Sequence, residues 1–116
     1  MVLSRRSQGT KVQGETLYQI CDREAVEEIS LIKMNIEGAE RYALLGMQSV
    51  IRRTGTICVA CHDFLADLGH GEEFRTRAFV EGFLIDQGFK LASRRDDPRD
   101  WVRDHIFGLR VEGSGE

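Results

Sequence analysis

The segment Leu31–Glu40, Leu-Ile-Lys-Met-Asn-Ile-Glu-Gly-Ala-Glu, constrains the fold of this chain more than any other stretch. From Ile29 to Ile36 the run is apolar apart from Ser30, Lys33 and Asn35, which suits a strand in a sheet covered on both faces. A polar turn follows and opens at once into a helix. Glu37 and Glu40 fall in the first helical turn, where carboxylates complement the exposed N–H groups and the helix dipole. A strand that runs straight into a helix is the unit of an α/β fold, and in such folds ligands gather outside the carboxyl ends of the strands. Asn35 and Glu37 stand at that place, so the segment marks a candidate site as well as a fold.

The rest of the chain repeats the alternation. Thr16-Leu17-Tyr18-Gln19 matches a capping box, and Leu17, Ile20, Cys21 and Ala25 recur at helical spacing, which predicts a helix from about Thr16 to Glu28. A second helix is expected from Gly38 to Arg53, with Ala39, Ala43, Met47, Val50 and Ile51 on one face and Gly46 as a breaking point. Thr56–His62 reads as a second buried strand, Asp63–Gly71 as a polar loop, and Glu72–Gln87 as a third helix ended by Gly88. Phe89–Ser93 and His105–Val111 read as two more strands. Between them, Arg94–Asp104 carries four Arg and four Asp around Pro98 and Trp101, an ion-paired hairpin loop from which Trp101 alone is expected to dock. Residues 1–14 form an expected flexible segment, with Lys11–Gln13 a short edge strand, and Glu112–Glu116 an expected disordered tail.

With 116 residues the chain holds one domain at most. The net charge of −3 argues against a nucleic-acid surface, which carries a basic excess. No apolar run approaches the roughly 18–20 residues that span a bilayer. Arg5 and Arg6 are followed by no apolar stretch of a signal peptide, and three cysteines without an export signal suit the reducing cytoplasm.

Cys58-Val-Ala-Cys61-His62 matches a haem-attachment pattern, but on a strand residues three apart project to opposite faces and cannot grip one haem or metal. No second cysteine pair completes a zinc site. The chain holds neither G-x-G-x-x-G nor a Walker lysine, and no serine elbow. Glu112-Gly113-Ser114-Gly115 has no helix after it to form a phosphate loop. His62 and Asp63 are different, because they end the second strand. If the two strands are parallel neighbours, Glu37, His62 and Asp63 surround one cleft with Asn35 beside them. Such a set serves general acid/base work or holds a hard cation; the plainer reading is a histidine at a strand end and an aspartate starting a turn.

Leu31–Glu40 also resembles the L-x-K-x-D-x-E-G-A-E segment of FkbM-type S-adenosylmethionine-dependent methyltransferases, and Leu44-Leu45-Gly46 follows as in that family. Cys61-His62-Asp63-Phe64 falls at the family's short polar strand end, and Leu84–Lys90 looks like its closing helix and following strand start. The resemblance spans residues 15–111 and implies the C-terminal half of a Rossmann-like methyltransferase domain. Parallel strands are then expected near 29–35, 56–62 and 88–94, with a final antiparallel strand near 105–111 inserted beside its neighbours. The acidic glycine-rich loop that holds the cofactor in the family's first half has no counterpart in residues 1–28. Two positions depart from the pattern: Asn35 stands where the family has Asp, and Cys61 where it has Glu. Asn hydrogen-bonds but accepts no proton.

The resemblance implies methyl transfer to the hydroxyl of a small molecule or sugar. His62 would be the base, Glu37 and Asp63 would orient the acceptor or a divalent ion, and Asn35 would face the cofactor. The chain reads as a fragment or split half carrying the acceptor side, inactive when isolated and not expected to bind S-adenosylmethionine alone. Such a half would self-associate or require a missing N-terminal half, because the 29–35 strand would keep an unpaired edge. The competing readings are a non-catalytic α/β remnant or interaction module, and a small metal-dependent hydrolase built on Glu37, His62 and Asp63. Neither nucleic acid nor membrane is an expected partner.

Overall fold

The computed structural model of the chain describes residues 13–111. The expectations for residues 1–12 and 112–116 lie outside these. Thr16 starts the first helix, α1 (Leu17–Arg23), through a full capping box: its hydroxyl accepts from Gln19 N–H at 3.1 Å, and Gln19 Oε1 accepts from Thr16 N–H at 2.7 Å. The helix ends earlier than its periodicity suggests, because Ala25 takes a left-handed conformation at φ 55°. Ala25 N–H then donates to Asp22 O and Val26 N–H to Cys21 O, the two bonds of a Schellman stop. Val26 is thereby folded back onto the core beside Cys21.

The remaining elements are β1 (Ile29–Met34), α2 (Glu40–Leu45), β2 (Thr54–Ala60), α3 (Asp63–Asp67), α4 (Arg77–Asp86), β3 (Phe89–Ala92), α5 (Asp100–Arg103) and β4 (His105–Arg110), with 3-10 turns at Ile51–Arg53 and Glu72–Phe74. The four strands form one sheet in the order β1-β2-β4-β3. β1 and β2 are parallel, with Met34 opposite Val59, while β4 runs antiparallel to both β2 and β3. The sheet is therefore mixed, and its last strand lies between two others. Arg110 ends that strand as a clasp: its guanidinium donates to the carbonyls of Thr54, Gln87 and Ile51 at 2.7–2.9 Å and lies 4.4 Å over the Phe89 ring.

All of the core lies on one face. Met34, Ile57, Val59, Ile106 and Phe89 project from the sheet against Leu44, Met47, Val50 and Ile51 of α2 and the turns after it, and against Val80 and Leu84 of α4. The molecule is only 17 Å thick along its shortest axis, the depth of one sheet and one helix layer. The middle of the other face is open at Leu31, Lys33, Phe107 and Leu109, while Ala60 at the end of β2 is buried. This corrects the expectation of a strand covered on both faces: β1 lies at the margin of the sheet and Leu31 is 59% exposed.

Other boundaries move for local reasons. α2 stops at Gly46, so only the first of the two helical pieces expected before Arg53 is an α-helix. β2 ends at Ala60, because Cys61 N–H donates to Asp104 O and Leu65 N–H to His62 O, which starts α3 where a loop was expected. α4 begins at Arg77, after a 3-10 turn at Glu72–Phe74. Trp101 does not dock; it is 57% exposed, and the buried members of its loop are Asp97 and Asp104. Carboxylates go inside here because each accepts hydrogen bonds that a tryptophan could not: Asp97 from Arg99 N–H and guanidinium, Asp104 from Phe64 N–H.

Candidate functional site at the strand ends

The parallel pairing of β1 and β2 carries the chain ends at Asn35–Glu37 and Cys61–Asp63 out on the same edge of the sheet. Asn35 and Glu37 are exposed. Glu37 is held at φ 48°, a left-handed conformation that a non-glycine residue adopts at a cost, and Gly38 follows at φ 101°. The turn needs glycine there for space as well as for φ: a Cβ on Gly38 would stand 3.2 Å from the Glu73 carbonyl oxygen. The site turn is thus pressed against the 3-10 turn at Glu72–Phe74.

His62 is half-buried at the residue before α3, its ring 5.8 Å from that of Phe64. Its Nδ1 is buried and has no hydrogen-bond partner among the described residues. Asp63 is half-buried, and its Oδ1 accepts from the N–H groups of Thr76 and Arg77 at 3.2 and 3.0 Å. One oxygen of Asp63 thereby satisfies the free amides at the start of α4. Among the described residues, no group of three or more His, Cys, Asp or Glu side chains is placed to hold a metal ion.

Beneath these residues lies a hub that the sequence did not reveal. Glu40 is fully buried; its Oε2 accepts from Gly38 N–H at 2.9 Å and its Oε1 from the Thr76 hydroxyl at 2.6 Å. Cys61 lies beside Thr76, and burial pushes its thiol up to about 12, against a smaller opposing effect of the Thr76 hydroxyl. Arg77 spans the next layer, donating to the Arg103 carbonyl and to Ser93 Oγ. The signal for Glu40 was present in the Glu-Gly-Ala-Glu spacing but reads equally well as a dipole-complementing surface acid. Thr76 was hidden by placing the helix start at Glu72.

An open cleft lined by Arg77, Glu81, Leu91, Ala92, Ser93 and Arg95 lies at the same edge of the sheet, beyond the end of β3. Asp104 approaches both arginines, at 3.9 Å from Arg77 and 3.6 Å from Arg95. Guanidinium, carboxylate and hydroxyl groups in one cleft suit a ligand rich in hydroxyls.

Strand ends that carry a histidine, acids and an amide beside a polar cleft give this α/β protein a candidate site. The family model of the methyltransferase FkbM domain matches residues 2–91, more than half of the 116 residues, and the chain belongs to that family. No curated protein and no solved structure matches it. No helix of the described residues is long and apolar enough to cross a membrane.

Proposed function

We propose that this chain is the acceptor-side half of an S-adenosylmethionine-dependent O-methyltransferase, working in the reducing cytoplasm on the hydroxyl of a small molecule or sugar. The observation that carries the reading is His62, a histidine at a strand end whose buried Nδ1 has no partner among the described residues. A histidine that acts as a base is normally oriented by a bond from Nδ1–H to an acceptor while Nε2 faces the substrate. In this reading Nε2 faces the acceptor, and the partner that orients Nδ1 is supplied from outside the described residues.

His62 takes the proton of the acceptor hydroxyl. Glu37, exposed beside it, orients the acceptor or a divalent ion, and Asn35 adds a hydrogen bond. Asp63 is a positioning residue, because its Oδ1 fixes the start of α4 against the end of β2. S-adenosylmethionine is the cofactor usual for methyltransferases and would supply the methyl group. The described strand ends do not fit it. Gly38, the glycine that follows β1, is buried and packed against the Glu73 carbonyl. The cofactor wall belongs to a second half, which would pair along the outer edge of β1.

Two measurements test the reading on the isolated chain. Calorimetry with S-adenosylmethionine is expected to give no saturable heat up to about 1 mM, a ceiling near −4 kcal/mol; micromolar affinity would overturn the half-site assignment. Nitrogen-15 NMR of the His62 ring is expected to shift with at least one sugar or small alcohol and not with its methyl ether, which lacks the proton to be taken. Equal response to alcohol and ether, or none, would remove His62 from the role of base.

A further inference from the structure

The cleft beyond the end of β3 carries hydrogen-bonding groups that the fold leaves unused. β2 and β3 are each antiparallel to β4 and so run the same way, and Ser93 leaves the sheet on the edge that also carries His62. α4 contributes Arg77 and Glu81, one turn apart. Arg77 is largely engaged: its guanidinium donates to the Arg103 carbonyl at 2.9 Å and to Ser93 Oγ at 2.7 Å, and its Nε lies 3.3 Å from Glu81 Oε1. Because Ser93 Oγ accepts from Arg77, the Ser93 hydroxyl keeps its proton to donate, and that proton has no acceptor among the described residues. Arg95 uses one nitrogen, Nη1, which donates to the Arg103 carbonyl at 3.3 Å and lies 3.6 Å from Asp104 Oδ1. Its Nε and Nη2 have no partner among the described residues, and these two N–H groups form the edge that grips a carboxylate through parallel bonds. The second Glu81 oxygen, Oε2, likewise accepts nothing among the described residues.

The geometry points to a site for a sugar acid, its carboxylate on the free edge of Arg95 and the Ser93 hydroxyl, and one of its hydroxyls on Glu81 Oε2. Charge selects the acid. Arg77 and Arg95 face Glu81 and Asp104, so the cleft itself is neutral. A carboxylate adds one negative charge there, where a phosphate dianion adds two beside the same acids. A neutral sugar leaves the Arg95 edge without an acceptor. A bare carboxylate leaves Glu81 and the apolar wall of Leu91 and Ala92 unused. The cleft encloses about 470 Å³, within the roughly 300–1,000 Å³ of small-molecule sites. It lies at the β3 margin, three strand spacings or roughly 14 Å from β1, so a second half paired along β1 does not cover it. The inference rests on the cleft alone and holds whether or not the chain takes part in methyl transfer.

The test is a titration of the nitrogen-15-labelled full chain with glucuronate, glucose, acetate and glucose 6-phosphate, read at the Ser93 amide and the Arg95 Nε–H. Glucuronate is expected to shift both signals saturably. Glucose, acetate and glucose 6-phosphate are each expected to bind about tenfold more weakly or worse, the loss that a missing charge-assisted hydrogen bond brings. Arg95→Lys keeps the charge without the fork, and is expected to weaken glucuronate about tenfold and leave glucose unchanged. Arg95→Gln is expected to abolish the preference for glucuronate over glucose. Arg95 is exposed, so amide signals away from the cleft should match the unaltered chain in both variants. The four ligands on the unaltered chain decide the matter without a variant. No saturable shift with glucuronate, or a preference over glucose or acetate well under about tenfold, overturns the inference. Tighter binding of glucose 6-phosphate would assign the cleft to phosphates and also overturn it. So would shifts confined to residues outside the cleft, or an Arg95→Lys chain that binds glucuronate as the unaltered chain does.

Discussion

Glu40 shows how a single buried side chain can tie two elements together. Its two oxygens take the Gly38 N–H and the Thr76 hydroxyl, so the turn after β1 and the start of α4 are joined through one buried side chain. Glu40→Ala leaves two buried donors unpaired and a cavity, and is expected to cost about 3 kcal/mol or more. Glu40→Gln keeps one acceptor oxygen and should cost about 1 kcal/mol. Urea unfolding with an unchanged m-value measures both, and the exposed Glu37→Ala serves as the comparison, with an expected change under about 0.5 kcal/mol. If Glu40→Ala cost no more than Glu37→Ala, the hub would not be holding the site. The two glutamates could not be told apart in the sequence. Both lie where a helix dipole favours an acid, and what separates them is Thr76, 36 residues away along the chain. The candidates Asn35, Glu37, His62 and Asp63 were legible as neighbours, because parallel strands bring their carboxyl ends together whatever their partners. Which oxygen of Asp63 binds which amide was not, since that depends on where α4 begins.

At the scale of elements, the strands were legible to within two or three residues and the helices were read too long. Apolar β-branched runs such as Thr56–Ala60 mark themselves, whereas the stop of α1 is a left-handed alanine that nothing in composition announces. An alanine at φ 55° costs roughly 1–2 kcal/mol where glycine pays none, partly offset by the larger entropy glycine loses on folding. Ala25→Gly is therefore expected to stabilise the chain by about 1 kcal/mol, seen as a higher urea midpoint. A neutral or destabilising result would show that the Schellman stop is not formed in solution. The position of the final strand followed from family resemblance rather than from pattern. Alternation gives a strand at His105–Arg110, but only the register of β4 with both β2 and β3 shows that it is inserted between them.

For the whole molecule, a sheet with helices on one face leaves a single core and a stability that depends on a few buried groups, and pH exposes two of them. The side chain and backbone N–H of Arg99 hold the Asp97 carboxyl far below the usual carboxylate range. A carboxyl depressed in the folded state contributes stability above its unfolded pKa, near 3.9, and loses it as pH falls toward the folded value. Cys61 works in the opposite direction. Its thiol, pushed up to about 12 by burial, stays protonated in the fold while the unfolded thiol ionises near 8.5–9, so stability declines as pH rises from about 9 toward 12. Stability is thus expected to be flat between about pH 5 and 8 and to fall on both sides. Urea midpoints across pH measure the curve. Asp97→Asn should lower the plateau and flatten the acid limb, because the charge that the guanidinium favours is gone at every pH. Cys61→Ala should flatten the alkaline limb while leaving the acid limb in place. An alkaline limb unchanged in Cys61→Ala would mean that the buried thiol ionises as readily in the fold as outside it, and that the core beneath the site admits water.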